Sequence, residues 1–270
     1  MLHATEKVIN LATDSNRLVS LVTSSIGDGP HNVVLPLQRF DPAPSPDTSE
    51  VSFDQRLIVD GYRVDLLEAE RWDPSPDWIA IRKHKERIHQ AVPRVLEVLR
   101  TRTPDPGVLC LFDDNRVASM QLDDHFIDAI KEPALHLISG LANGSGVPAM
   151  EAALKLAGLG TGLTPAGDDL IAGAMLACWA GCCPEHTLET LPQMARQVAT
   201  HTTRLSAAYI QAAAVGEFGI VWHQLLKALT QEHEEDIREL LESIVSIGHN
   251  SGAYTLAGFI LLVAESAAAK

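Results

Sequence analysis

Two adjacent carboxylates, Asp168 and Asp169, stand at the head of an apolar run, Leu170–Gly181. Such a run reads as a helix apolar on every side, and a helix of that kind is buried. Neighbouring buried acids repel each other, so one is protonated or a cation, a guanidinium or a metal ion offsets them. One chemistry open to the pair is holding a divalent ion such as Mg2+. The plain alternative is a decorated helix start, where each exposed acid gains about 0.3–1 kcal/mol from the helix dipole. Thr164 fits the cap of that start and Pro165 its first helical position. Gly173, Ala177 and Gly181, spaced by four, leave room for a second helix to approach closely.

Upstream lies Gly158-Leu159-Gly160-Thr161-Gly162. Alternate glycines make a loop whose backbone N–H groups can face a ligand. The loop lacks the Gly-Lys-Ser/Thr ending of a Walker motif, and its third glycine falls too early for a dinucleotide fingerprint. A second segment, Gly248–Ala264, repeats the construction. A glycine, the loop residue His249 and the capping residues Asn250 and Ser251 precede another apolar helix. Two such helix starts in one helical domain can converge on one anion. Arg204, within the long helical stretch of residues 191–216, is a candidate electrostatic partner beside His249.

The stretches "GLGTGLTPAGDD" and "GHNSGAYTLAGF" resemble signatures of a family otherwise of unknown function, one that includes the small subunit of oxamate carbamoyltransferase from anaerobic allantoin degradation. The resemblance extends through "HTTRLSAAYIQAAAVGEF" and covers about the last 130 residues. Its motif residues fall on Gly160, Gly162, Leu163, Thr164, Pro165, Asp168 and Asp169, and on Gly248, His249, Ser251 and Gly252. Tyr254 stands where that motif has an acid. The resemblance implies phosphorolysis of oxalurate to oxamate and carbamoyl phosphate, carried out together with other subunits. The candidate catalytic residues are therefore Asp168, Asp169 and His249. The candidate substrate-binding residues are Gly160, Thr161, Gly162, Thr164, Arg204, Asn250, Ser251 and Gly252. Asp168 and Asp169 are also the candidate Mg2+ ligands. A metal-dependent hydrolase built on the Asp pair and a non-catalytic ligand-binding partner subunit stand as alternatives.

The elements that must position these residues form an α+β chain. Residues 1–115 read as a β-rich part, an antiparallel sheet or small barrel with one helix, and residues 116–270 as a helical part. Arg17–Ser25 and His31–Leu37 read as strands. Gln55–Leu67 reads as a hairpin turning at Asp60-Gly61. Gly107–Phe112 reads as one more strand, and Ile81–Arg100 as a helix that Pro93 kinks or restarts. Residues 191–216 read as one long helix.

The totals limit the function classes. The net charge of −14 leaves no basic stripe for nucleic acid and only weak attraction to anionic membranes. The four cysteines, Cys110, Cys178, Cys182 and Cys183, lack zinc-ligand spacing and read as thiols of a reducing compartment. The first 21 residues contain no long apolar core of a secretory signal, and no apolar run free of polar interruptions reaches membrane-spanning length. The expected setting is cytoplasmic, with a small anionic substrate such as phosphate, oxamate or oxalurate, and partner subunits.

Overall fold

A computed structural model describes residues 1–15, 17–41, 51–53, 56–59, 61–112, 124–231 and 234–268. The chain is α+β and divides into two compact units, Met1–Pro74 and Ser75–Lys270.

The first unit is built of strands. The central strands bury residues on both faces, with Ile9, Asn10 and Leu11 buried in succession and only Val19 of Leu18–Thr23 partly exposed, whereas Arg56–Val59 and Tyr62–Asp65 bury alternate residues. β1 (His3–Ala4), β2 (Val8–Ala12), β3 (Leu18–Thr23) and β4 (Asn32–Leu35) form one sheet in that order. β2 and β3 are antiparallel, with Asn10 opposite Ser20. β4 runs parallel to β3, so this sheet is mixed rather than purely antiparallel. The buried Ser20 hydroxyl donates to Asn10 Oδ1 at 2.7 Å, which satisfies two polar groups inside the sheet. β5 (Val51–Phe53), β6 (Arg56–Val59) and β7 (Tyr62–Asp65) form an antiparallel second sheet. The hairpin turn lies where Asp60-Gly61 places it; Gly61 has φ of 84°, and Asp60 is outside the described residues. Ile9, Leu11, Leu21, Phe40, Leu57, Val59 and Val64 make the core of this unit.

The second unit is helical: α1 (Trp78–Lys83), α2 (Lys85–Arg102), α3 (Asp124–Ala142), α4 (Gly146–Leu156), α5 (Ala166–Ala177), α6 (Glu185–Leu188), α7 (Leu191–Val198), α8 (Arg204–Ala214), α9 (Ile220–Gln231), α10 (Glu234–Val245) and α11 (Ser251–Ala268). The division between the units falls at Pro74/Ser75, not at 115/116, which lies outside the described residues. Ile88, Val95, Val98 and Leu99 of α2 join the helical core, so the segment after Pro74 belongs with the helices by packing. The stretch expected as a strand at Gly107–Phe112 is a 3-10 helix, Pro106–Phe112, with Val108, Leu109, Cys110 and Leu111 buried. A short apolar run carries no period that separates a strand from a buried helical turn. The helix break expected at Pro93 falls instead at His84, and α2 continues through Pro93. The single helix expected over residues 191–216 is two, because residues 199–203 break it and Thr203 caps α8 by accepting from the Ser206 N–H at 3.1 Å.

α5 and α11 form the centre. Every residue of α5 except Ala172 is buried. A Cβ added to Gly173 would lie 1.9 Å from the Thr255 carbonyl oxygen, and one added to Gly258 would lie 2.1 Å from that of Leu170. Glycine at both places therefore lets two backbones touch. The expected close approach at Gly173 is real, but Gly181 takes no part in it. α5 ends at Ala177, a π turn covers Cys178–Cys182, and Gly181 has φ of 93° and faces Arg82. Thr164, just before α5, touches Ser251, the first residue of α11, and Gly173 meets Thr255 and Phe259 further along, so α5 and α11 run side by side in one direction. Among the described residues, α11 is the one helix long and apolar enough to cross a membrane; a buried core helix meets the same criterion, and the apolar side chains from Leu256 to Val263 are mostly packed in the helical core.

No disulfide joins the four cysteines. Cys183 is half-buried and the other three are buried. The Cys178 thiol beside Cys183, then the Thr187 hydroxyl and the Arg82 charge, hold the Cys183 thiol below its usual pKa although burial opposes them. Burial pushes the Cys178 thiol well up. Brief treatment with iodoacetamide near neutral pH should therefore alkylate Cys183 first, as peptide mapping by mass spectrometry will show. First labelling at Cys110 would contradict this.

Candidate functional site

The site grows from three helix starts. The expected start of α5, with Thr164 as cap and Pro165 inside, is shifted by one residue. Pro165 is the cap residue, and its carbonyl accepts from the Asp168 and Asp169 N–H groups at 3.0 and 3.1 Å. The Thr164 hydroxyl is thereby released from capping, and it meets the Ser251 hydroxyl, in the first turn of α11, at 2.5 Å. Leu163, just before it, gives its carbonyl oxygen to the Thr203 hydroxyl at the head of α8. The starts of α5, α8 and α11 thus meet at one end of the helical unit. Each presents the positive end of a helix dipole there.

The glycine loop leads into this junction. Gly158, Gly160 and Gly162 have φ of 72°, 116° and 95°, a region that favours glycine. At Gly160 a side chain would also press on the Ala166 nitrogen, 2.8 Å from the added Cβ. Gly162 faces open space. Thr161, Gly162 and Leu163 are exposed and form one side of a rim. Arg204, the first residue of α8, and Gly248 and His249, just before α11, are exposed as well. Gly252 has a packing role instead: an added Cβ would lie 1.7 Å from the Ile244 carbonyl oxygen of α10.

Beneath the rim the two aspartates separate in role. Asp168 is 1% exposed. Its Oδ1 accepts from the Gly158 N–H at 2.9 Å, and its Oδ2 accepts from the Ser206 hydroxyl at 2.7 Å and from the Thr202 hydroxyl. It ties the glycine loop to the start of α8. Asp169 is 9% exposed, and its Oδ2 is buried without a hydrogen-bond partner. Burial pushes its pKa well above the usual carboxylate range; the Ser251 hydroxyl opposes that rise and the Asp168 charge adds to it. Thr164, Ser251 and Asp169 therefore form a chain of polar groups ending in an unsatisfied oxygen.

The expected Mg2+ site can be tested on these contacts. A metal held between the pair needs lone pairs from both acids, and of the roughly four that a carboxylate offers, three on Asp168 already face one N–H and two hydroxyls. Among the described residues, no three His, Cys, Asp or Glu side chains are arranged to hold a metal. The donor set is one of N–H and O–H groups, which suits an anion better than a hard cation.

Asn250 turns away from the junction, its Nδ2 donating to Asp105 Oδ2 at 3.3 Å. Asp105 Oδ1 accepts from the Gly107 N–H at 2.8 Å. Tyr254, which stands where the resembling motif has an acid, is fully buried, and burial followed by the nearby Asp105 charge pushes its phenol pKa upward. An acid from a distant stretch of chain therefore stands beside the position where one was expected. Asp105, Thr202, Thr203 and Ser206 were not read from the sequence. Thr203 followed three residues later by Ser206 is a helix-cap pattern that was legible, whereas nothing in "TPDPG" points to Asn250.

A cavity of about 630 Å3 opens between α9 and α10, lined by Gln224, Lys227, Asp236 and Glu239 among others, and shares no residue with this junction.

Residues 156–263 match the family model described as oxamate carbamoyltransferase subunit AllH. Over this segment, two fifths of its length, the chain is similar to the AllH family. The AllH segment contains the glycine loop, both aspartates, the Thr202–Ser206 cap and the His249–Ser251 turn, so all three helix starts lie within it. Asp105 lies outside it. No solved structure matches the chain.

Proposed function

We propose that the protein is a subunit of an oxamate carbamoyltransferase-type enzyme and supplies its small-anion site where α5, α8 and α11 begin. The reaction is phosphorolysis of oxalurate to oxamate and carbamoyl phosphate. The observation that carries this reading is the meeting of three helix starts over a half-buried pair of hydroxyls, Thr164 and Ser251, inside the AllH segment. Helix dipoles and O–H donors hold phosphate or a carboxylate. The same donors stabilise charge that develops on a carbamoyl oxygen as the C–N bond to the leaving amide breaks. Arg204 and His249, exposed at the rim, meet the incoming anion first. Leu163 and Ile247, each 41% exposed beside the junction, support a partner subunit as the cover over the site. Cysteines kept as thiols support a reducing, cytoplasmic setting.

The test is thermal unfolding of the full chain with phosphate, oxamate, oxalurate and carbamoyl phosphate. A ligand at one hundred times its Kd adds about 2.7 kcal/mol. In a domain of this size that raises Tm by about 5–10 °C. Thr164→Val and Ser251→Ala should each remove most of the rise. No rise with any of the four compounds, or an equal rise in both variants, would reject the reading.

A further inference from the structure

The junction contains one group that an anion site does not need. Hydroxyls and helix N-termini are donors, and a ligand made only of oxyanions asks for nothing else. Asp169 is different, because its Oδ2 is a buried acceptor atom with no partner among the described residues. A buried oxygen left unsatisfied destabilises the fold that holds it. Asp168, its sequence neighbour, shows the alternative, with both oxygens matched to donors from Gly158, Thr202 and Ser206. Asp169 is anchored to the site by position: it lies in the first turn of α5, its N–H donates to the Pro165 carbonyl at 3.1 Å, and Thr164, the residue before Pro165, lies against Ser251.

We infer that Asp169 is the specificity-determining residue of the site, its free Oδ2 accepting an N–H from the carboxamide or ureido end of a ligand whose oxyanion is held by the helix-start N–H groups and by the one O–H that the hydrogen-bonded Thr164–Ser251 pair leaves unshared. The inference rests on the anion-site reading above and adds which end of the ligand goes where. A ligand with an acceptor in place of that N–H brings two oxygens face to face and is rejected, because a site built to pair one hydrogen bond strongly disfavours the analogue that lacks it.

Oxamate and oxalate separate the two ideas. They have nearly the same size, and they differ in a carboxamide replaced by a carboxylate. Calorimetric titration of the full chain should give oxamate at least about tenfold tighter binding than oxalate, a difference of about 1.4 kcal/mol. Asp169→Asn, which can turn an N–H toward the ligand, should shrink the ratio to about threefold or less. Asp169→Ser, which withdraws the acceptor, should do the same and guards against a single variant that fails to fold. Ser251→Ala should weaken both ligands alike. Equal binding of oxamate and oxalate by the native protein, or an unchanged ratio in both Asp169 variants, overturns the role of Asp169 and leaves the anion site standing. Binding of neither compound, nor of phosphate, overturns the anion site and the inference with it.

Discussion

Asp168→Ala should lower the melting temperature by about 10 °C, more than any other substitution at the glycine loop. The carboxylate is buried and accepts from one N–H and two hydroxyls on two other stretches of chain. Alanine leaves those donors facing a small void. Thr202 is half-buried and can turn toward water, but the Ser206 hydroxyl is buried and cannot. Breaking a buried, charge-assisted cluster by removing its acceptor costs about 3–5 kcal/mol. For a helical unit of this size each kcal/mol lowers Tm by about 2–4 °C. Calorimetry or far-UV dichroism measures it. A fall under about 3 °C would mean that the three donors find other partners, and that Asp168 is not the tie described.

Gly258→Ala should be the most damaging change away from the loops. On an isolated helix it would stabilise, by about 1 kcal/mol. Here the new Cβ would lie 2.1 Å from the Leu170 carbonyl oxygen and 3.1 Å from the Ala174 nitrogen, all of it backbone. Backbone cannot rotate aside, so α5 and α11 must separate. Overpacking of this kind costs about 1–3 kcal/mol and often more. A net loss of about 2 kcal/mol is expected, with a loss of the ligand-induced rise in Tm, because separating the helices parts Thr164 from Ser251. Gly162→Ala is the comparison: its φ of 95° makes it strained, yet nothing lies within 4 Å of the added Cβ, so it should cost about 1–2 kcal/mol and leave the helix pair in place. A Gly258→Ala protein as stable as the native one would refute the contact.

Much of this was legible in the residues. The apolar run after Asp169 announced a buried helix, and glycines at helical spacing announced a close neighbour, because both are local consequences of side-chain size and polarity. The α+β character and the hairpin at Gly61 were legible for the same reason. The partner of each group was not. Which helix meets Gly173, that Thr164 serves Ser251 rather than its own helix, and that Asp168 and Asp169 divide their work all depend on contacts between residues 34 to 87 positions apart. The misread strand at Gly107–Phe112 and the unbroken helix through residues 199–203 show the limit from the other side. Apolar character and helical spacing persist through segments whose backbone is decided by what packs against them.

The tether between Asp105 and Asn250 separates two notions of a module. The stretch that a family comparison recognises begins about fifty residues after Asp105, yet the turn carrying His249 is moored to that acid. A fragment cut at the recognisable borders would keep every signature residue and lose the mooring. Heredity and mechanics therefore draw different outlines around the same machine, and the mechanical one is larger.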